Sequence, residues 1–169
     1  MKRPLYLGLG SNHGDRLYFL SKAIDSLGLL MDLKAVSPIY ETEPVGMDTP
    51  ELFLNLAVEG ESSLYPTELL QKLIEIEERL GRVTLVRMKP REIDIDILLY
   101  GSRVFRDNVL EIPHPRMSQR RFVLAPLNDI APHALHPVSK KTVRELYRDC
   151  NDLSNVVKTK DKLTIHQLT

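Results

Sequence analysis

The sequence predicts a single domain that mixes helices with strands. Strand-like and amphipathic runs follow one another in the order strand, helix, strand, strand, helix, strand. The chain has 169 residues, which suits one domain. Its 43% hydrophobic and 27% charged residues are enough to build an ordinary core. No internal repeat and no linker marks a second domain. Residues 1–150 are therefore expected to form the domain. Residues 151–169 are polar, with Lys158, Lys160 and Lys162, and are expected to be a partly disordered tail.

Charge and cysteine content narrow the function classes. Lys plus Arg is 23 and Asp plus Glu is 23, so the formal net charge is zero. Broad non-specific nucleic-acid binding needs a basic surplus, and no nucleic-acid partner is expected. The single cysteine, Cys150, excludes a disulfide within one chain and fits a reducing compartment. No apolar run approaches the ~20 residues of a membrane span. Met1-Lys2-Arg3-Pro4 leads into a short apolar run broken by glycines, a strand start rather than a signal peptide. A soluble, cytoplasmic protein without a membrane partner is the expectation.

Leu5 to Leu9 reads as the first strand, running into a glycine-rich turn from Gly8 to Asp15. No Gly-Lys-Ser/Thr follows, so this is not a Walker phosphate loop, and His13 breaks the Gly-x-Gly-x-x-Gly pattern. A helix with Leu17, Leu20, Ile24 and Leu27 on one face follows, with Asp15 as N-cap and an end near Gly28. Leu33 to Thr42 reads as a second strand and Phe53 to Glu61 as a third. Between them lies a long loop with Pro44, Gly46 and Pro50. On the third strand Leu54, Leu56 and Val58 share one face, and Phe53, Asn55, Ala57 and Glu59 the other. Phe53 beside Asn55 could stack on a flat heterocycle and bond its edge; the pair taken alone reads first as a half-buried edge of the core.

Pro66 to Leu80 is a helix, with proline in its first turn, a stripe of Leu69, Leu70, Leu73, Ile76 and Leu80, and Gly81 at the C′ position. Glu75, Glu77 and Glu78 read as its solvated face. Arg91 to Leu99 then reads as a buried strand carrying Asp94 and Asp96 on one face and Ile93, Ile95 and Ile97 on the other. Two adjacent carboxylates repel one another and need positive charge nearby. A divalent cation with oxygen ligands supplies it, and so would Arg or Lys partners. Arg82, Arg87, Lys89 and Arg91 lie just upstream. The pattern suggests metal-assisted chemistry on a phosphorylated substrate, or else a salt-bridged sheet face.

Arg103 to Phe105 reads as a short strand, paired near Leu110 to Ile112. In Pro113-His114-Pro115 the prolines hold His114 extended, and Arg116, Arg120 and Arg121 crowd the same segment. That grouping suits anionic phosphates, or a surface turn leading into a basic helix. Phe122 to Leu127 reads as core, His133 and His136 as structural or solvated, and Thr142 to Cys150 as the last helix.

Four stretches, in order, resemble one family. They are Leu9-Gly10-Ser11-Asn12 with Gly14-Asp15-Arg16; Tyr40 to Asn55, with Thr-x-Pro-x-Gly and Phe-Leu-Asn; Gly81-Arg82 with Pro90-Arg91-x-x-Asp94-x-Asp96; and Pro113-His114-Pro115-Arg116 with Arg120-x-Phe122-Val123-Leu124. The chain resembles the 6-hydroxymethyl-7,8-dihydropterin pyrophosphokinases of folate biosynthesis from about residue 5 to 127. The resemblance implies an α+β fold with a single-domain, ferredoxin-like core, a mostly antiparallel sheet with flanking helices, and the element order agrees with it. It also implies three mobile catalytic loops, at 10–16, 43–52 and 82–91.

The implied reaction moves a diphosphate from ATP, the co-substrate, to the pterin hydroxymethyl group, giving AMP. Asp94 and Asp96 would hold two Mg²⁺ ions. Arg82 and Arg91 would be catalytic, stabilising charge on the transferred group. Glu77, Ile97, Leu110, His114, Arg116 and Arg120 would border ATP, which takes Glu77 out of the solvated face. Phe53 and Phe122 would sandwich the pterin, with Asn55, Thr42, Pro44 and Val45 at its edge. The expected partners are these two small molecules, and the expected state is a monomer. Met88 and Lys89 depart from the aromatic and the Gly or Ala common before Pro-Arg, and His13 replaces a common apolar residue. Two other readings fit the same residues: a pterin- or nucleotide-binding protein without turnover, and another Mg²⁺-dependent phospho- or nucleotidyl-transferase.

Overall fold

The computed structural model describes residues 1–46, 48–81, 92–163 and 165. Its first strand, β1 (Arg3–Ser11), is longer than expected and runs straight through Gly8 and Gly10. The turn is confined to residues 12–15. Asp15 then caps α1 (Arg16–Leu30), its Oδ1 accepting the Tyr18 N–H at 3.0 Å. Leu20, Ala23, Ile24 and Leu27 form the buried stripe of that helix.

The single strand expected over Leu33 to Thr42 is two strands, β2 (Asp32–Val36) and β3 (Tyr40–Thr42). Pro38 has no N–H to offer a ladder, and the break falls at Ser37-Pro38-Ile39. Ser37 replaces part of the ladder: its N–H donates to the Ala57 carbonyl at 2.9 Å, and its hydroxyl accepts the Ala57 N–H at 2.8 Å. Both strands pair antiparallel with β4 (Phe53–Ser62), which also pairs antiparallel with β1.

The helix after β4 is α2 (Pro66–Arg79), and Gly81 follows with φ +97°, the left-handed conformation expected at C′. The Asp-x-Asp strand, β5 (Asp94–Tyr100), pairs antiparallel with β1. Arg82, Arg87, Met88, Lys89 and Arg91, with the rest of the 82–91 loop, lie outside the described residues. A two-strand hairpin comes next, β6 (Phe105–Arg106) and β7 (Glu111–Ile112), starting two residues later than expected. A 3₁₀ turn over Met117–Gln119 leads into α3 (Arg121–Ile130), so the expected core run Phe122 to Leu127 is helical, with Pro126 inside. Thr142 caps α4 (Val143–Asp149). The segment beyond 150 is not all tail: β8 (Val156–Lys158) pairs antiparallel with β3, and the sheet runs past the boundary drawn from composition.

The sheet order is β5-β1-β4-β3-β8, with β2 also on β4. The expected α+β class, with an antiparallel sheet and flanking helices, is therefore the class the chain forms. Helices α1 and α2 cover one face. There Leu5, Leu7, Leu9, Leu54, Leu56, Val58, Ile93, Ile95 and Ile97 meet the helix stripes. Helices α3 and α4 cover part of the other face, over Ala57, Leu98 and Leu99. Leu98 has no partner across β1, because the register jumps from Ile97 to Leu99. That bulge lets two consecutive leucines enter the same cluster. The polar remainder of this second face is where the sequence-predicted site residues collect.

Gly60 is the tight point of the β2–β4 edge. A Cβ there would stand 2.1 Å from the Met31 terminal methyl and 2.7 Å from the Asp32 carbonyl oxygen. The methyl can swing away; the carbonyl cannot. Gly60→Ala is expected to cost about 1–3 kcal/mol of stability, read from urea unfolding. An unchanged midpoint would mean that this edge shifts freely.

Candidate active site

The register lines up residues that are far apart in the chain. Asp94 lies opposite Gly10, Gly10 opposite Asn55, and Asn55 opposite Tyr40. One step along, Asp96 lies opposite Gly8 and Gly8 opposite Ala57. Directly opposed residues share a face. The row thus runs carboxylate, glycine, amide across three strands, so the carboxylate and the amide stand roughly 10 Å apart. Phe53 and Thr42 oppose one another next to it.

Gly10 is required by what lies beside it. A Cβ there would come within 2.6 Å of Asn55 Oδ1. The Asn55 side chain is 7% exposed, and its Nδ2 donates to Thr42 Oγ1 at 2.7 Å. That bond sets which way the carboxamide faces. The role of the Thr42 hydroxyl was not legible in the sequence, because it depends on the β3–β4 register. Phe53 is half-buried on the same face.

A second group stands at the carboxylate end. The His114 N–H donates to the Leu98 carbonyl at 3.0 Å, tying this loop to β5. His114 Nδ1 accepts the Arg116 N–H at 3.1 Å, which leaves the ring proton on Nε2. Burial, then the positive charges of Arg120 and Arg116, push the His114 pKa down to about 4, against the opposing pull of Asp94. The imidazole is neutral at pH 7, among two guanidiniums and a carboxylate. The Arg120 guanidinium stands 5.5 Å from the centre of the Phe122 ring. Phe122, the second residue of α3, is half-buried.

Glu77 is 4% exposed, so the solvated-face reading fails for this residue. Its Oε1 accepts the Ile95 N–H at 2.7 Å, fastening α2 to β5 between Asp94 and Asp96. Glu75, in contrast, pairs with Lys72 at 3.1 Å on the outer surface. The Ile97 side chain is 4% exposed and lies in the core under α1 and α2, away from the carboxylate face. Leu110 is partly buried at the β6–β7 turn, Pro44 is half-buried, and Val45 is exposed. The structure thus brings together Thr42, Phe53, Asn55, Asp94, Asp96, His114, Arg116, Arg120 and Phe122. Arg82 and Arg91 fall outside the described residues.

The depressed His114 pKa carries a sign. As pH falls, the unfolded chain binds this proton first, from its ordinary 6.5, while the folded chain resists until about 4. The contribution is fully present above pH 6.5 and is lost between 6.5 and about 4. Urea midpoints of the wild type are expected to fall more steeply over that window than those of His114→Gln. Parallel curves would mean that His114 titrates normally.

Three comparisons bear on the lineage. The family model described as "7,8-dihydro-6-hydroxymethylpterin-pyrophosphokinase (HPPK)" matches residues 6–132. A 2-amino-4-hydroxy-6-hydroxymethyldihydropteridine pyrophosphokinase of Aquifex aeolicus is 41% identical over 141 residues, 83% of this chain and 88% of that protein. A Bacillus subtilis protein of the same name is 46% identical over 132 residues, 77% of this chain and 79% of its own. Among solved structures, Plasmodium falciparum HPPK-DHPS superposes with a TM-score of 0.73 at 18% identity, a likeness of fold. The match covers 88% of this chain but 44% of that longer one. The chain belongs to the 7,8-dihydro-6-hydroxymethylpterin pyrophosphokinase family.

Proposed function

We propose that the carboxylate–glycine–amide row is the reaction track of this family's chemistry. As a family member, the chain transfers diphosphate from ATP to the hydroxymethyl group of 6-hydroxymethyl-7,8-dihydropterin, giving AMP and the pterin diphosphate in folate biosynthesis. The observation that carries the site reading is the row itself, Asp94-Gly10-Asn55.

Asp94 and Asp96 fit Mg²⁺. They are hard oxygen donors on one strand face, opposite Gly10 and Gly8. Among the described residues no cluster of three or more metal-binding side chains occurs. That suits an ion which takes one or two carboxylates and completes its shell with water and phosphate oxygens. Two Mg²⁺ ions held there would neutralise charge on the ATP phosphates. Phe53 and Phe122 sandwich the pterin ring, and Asn55, held by Thr42, bonds its edge, with Pro44 and Val45 alongside. His114, through its Nε2–H, lies along the phosphates with Arg116 and Arg120. Glu77 keeps β5 in place on the nucleotide side, and Ile97 and Leu110 border that side. Arg82 and Arg91 stabilise charge on the transferred group. The working unit is read as a monomer. No described helix is long and apolar enough to cross a membrane, and a single cysteine is in keeping with a cytoplasmic enzyme.

Product analysis tests the reading. Protein, ATP, Mg²⁺ and the pterin are expected to give AMP and a pterin diphosphate, followed by ³¹P NMR. ADP would mean γ-phosphoryl transfer instead; bound pterin without nucleotide change would mean a binding protein. Asp96→Ala is expected to lower turnover by about 10²–10³-fold or more with the fold intact. Wild-type turnover at saturating Mg²⁺ would remove Asp96 from the metal site.

A further inference from the structure

The helix that carries Phe122 lacks a cap of its own. Arg120, the residue before α3, makes no side-chain bond to the helix N-terminus. An uncapped N-terminus leaves backbone N–H groups without helical partners. The first of them, Arg121 N–H, donates to Asp152 Oδ2 at 2.9 Å. The other oxygen, Asp152 Oδ1, accepts the Ser154 N–H at 2.9 Å. Burial alone would raise the Asp152 pKa; these N–H groups of Ser154 and Arg121 outweigh it and hold the carboxyl below its usual range. The cap of α3 thus comes from 31 residues further along the chain.

The same segment grips the opposite wall. Val156 pairs with Thr42, Val157 with Glu41 and Lys158 with Tyr40. Lys158 Nζ lies 3.3 Å from Asp129 Oδ2 on α3, and Asp129 also accepts the Tyr40 hydroxyl proton. Further on, the Thr159 N–H donates to the Ile39 carbonyl at 2.8 Å. Residues 152–159 therefore touch α3 at both its first turn and its last, and between those points they lie along β3.

We propose that Asp152, seconded by Lys158, is a positioning residue that sets the gap between the two walls of the pterin site. This rests on the pterin reading of Phe53, Asn55 and Phe122. Thr42 and Phe53 stand on the sheet wall, and Phe122 on the helix wall. A flat ring stacks only if the walls keep one separation, and the 152–159 strap spans them. The anion-facing residues have anchors besides this strap. His114 is tied to β5, and the Arg120 N–H donates to the Met117 carbonyl at 3.3 Å within the preceding turn. Loss of the strap's grip should fall on the pterin rather than on ATP.

Steady-state kinetics on full-length protein decide it. Asp152→Ala is expected to raise the KM for the pterin about five- to tenfold, the size of a lost cap, with the KM for ATP and kcat within about twofold. Asp152→Asn, whose one amide oxygen keeps an acceptor for the Arg121 N–H but gives up the Ser154 bond, is expected to recover most of the wild-type pterin KM. Lys158→Ala, which releases the strap's far end, is expected to raise the pterin KM about two- to threefold, and it answers the question if Asp152→Ala does not fold. An unchanged pterin KM in the folded variants overturns the proposal. So does a parallel rise of both KM values that Asp152→Asn fails to restore. If the wild type makes no pterin-dependent AMP, it is the underlying site reading that has failed.

Discussion

The structure depends on the antiparallel register of β1 between β5 and β4. Leu5, Leu7 and Leu9 are 0–2% exposed on the α1/α2 face. Gly8 and Gly10 must then turn to the other face. In β5 the same alternation buries Ile95 and Ile97 beneath α2, with Ile93 just ahead of the strand, and turns Asp94 and Asp96 outward. A slip of one residue in either strand would exchange these sets. Burying these six aliphatic side chains is worth on the order of 10 kcal/mol, so the slipped alternatives are not populated. The force that closes the core is the one that lays a carboxylate, a bare backbone and an amide side by side.

Charge is arranged around that row by separate means. Asp94 and Asp96 sit on a strand that Glu77 holds from behind, through the Ile95 N–H. A buried carboxylate needs such donors to remain in place, and here a backbone N–H serves. Cationic charge comes from a different part of the chain, the segment from His114 to Arg120, which joins β5 through a single backbone bond to Leu98. His114 stays neutral between Arg120 and Arg116, because burial and their like charge both resist a second proton. The site therefore sets an acidic floor beside a basic wall, with a neutral imidazole at their junction.

The parts of the fold legible in the sequence are the local ones. Alternation assigned Asp94 with Asp96 and Phe53 with Asn55 to shared faces, and each pair lies on one strand. The Asp15 cap and the Gly81 C′ position were readable because their partners are within a few residues. The break at Pro38 escapes the pattern, although proline's missing N–H is the available signal, because Leu33 to Thr42 otherwise has the β-branched and aromatic make-up of one strand. The Glu77–Ile95 bond spans 18 residues and the Asp152–Arg121 bond 31, and no local pattern encodes either. Composition also misjudged the segment after 150. Its lysines are polar, yet Lys158 is spent on Asp129 and on the Tyr40 ring, 5.6 Å away, so a charged edge strand resembles a tail.

Locality also separates the stems of the expected pterin loop from its tip. Arg16 Nη1 donates to Glu41 Oε2 at 3.1 Å and to the Leu52 carbonyl at 3.0 Å, on the two sides of that loop. One guanidinium thus joins the start of α1 to both stems, and the β3–β4 ladder adds the Thr42–Phe53 pairing. Beyond the stems the hold is slight. His13 and Glu51 stand 3.7 Å apart with about half of each side chain exposed, and a surface pair of that kind contributes little. Glu43, Val45, Gly46, Asp48 and Pro50 are exposed. Among the described residues the loop beyond its stems reaches the rest of the chain through exposed contacts such as the His13–Glu51 pair and the Asn155 Nδ2–Glu43 Oε1 bond of 3.4 Å, while Asn55, Thr42 and Phe53 are fixed by the register below it. The residues proposed to read the ring's edge are held by the strand ladder, whereas the described residues of the loop above them are largely exposed. A loop held in that way would be free to close over a substrate without dismantling the proposed recognition surface.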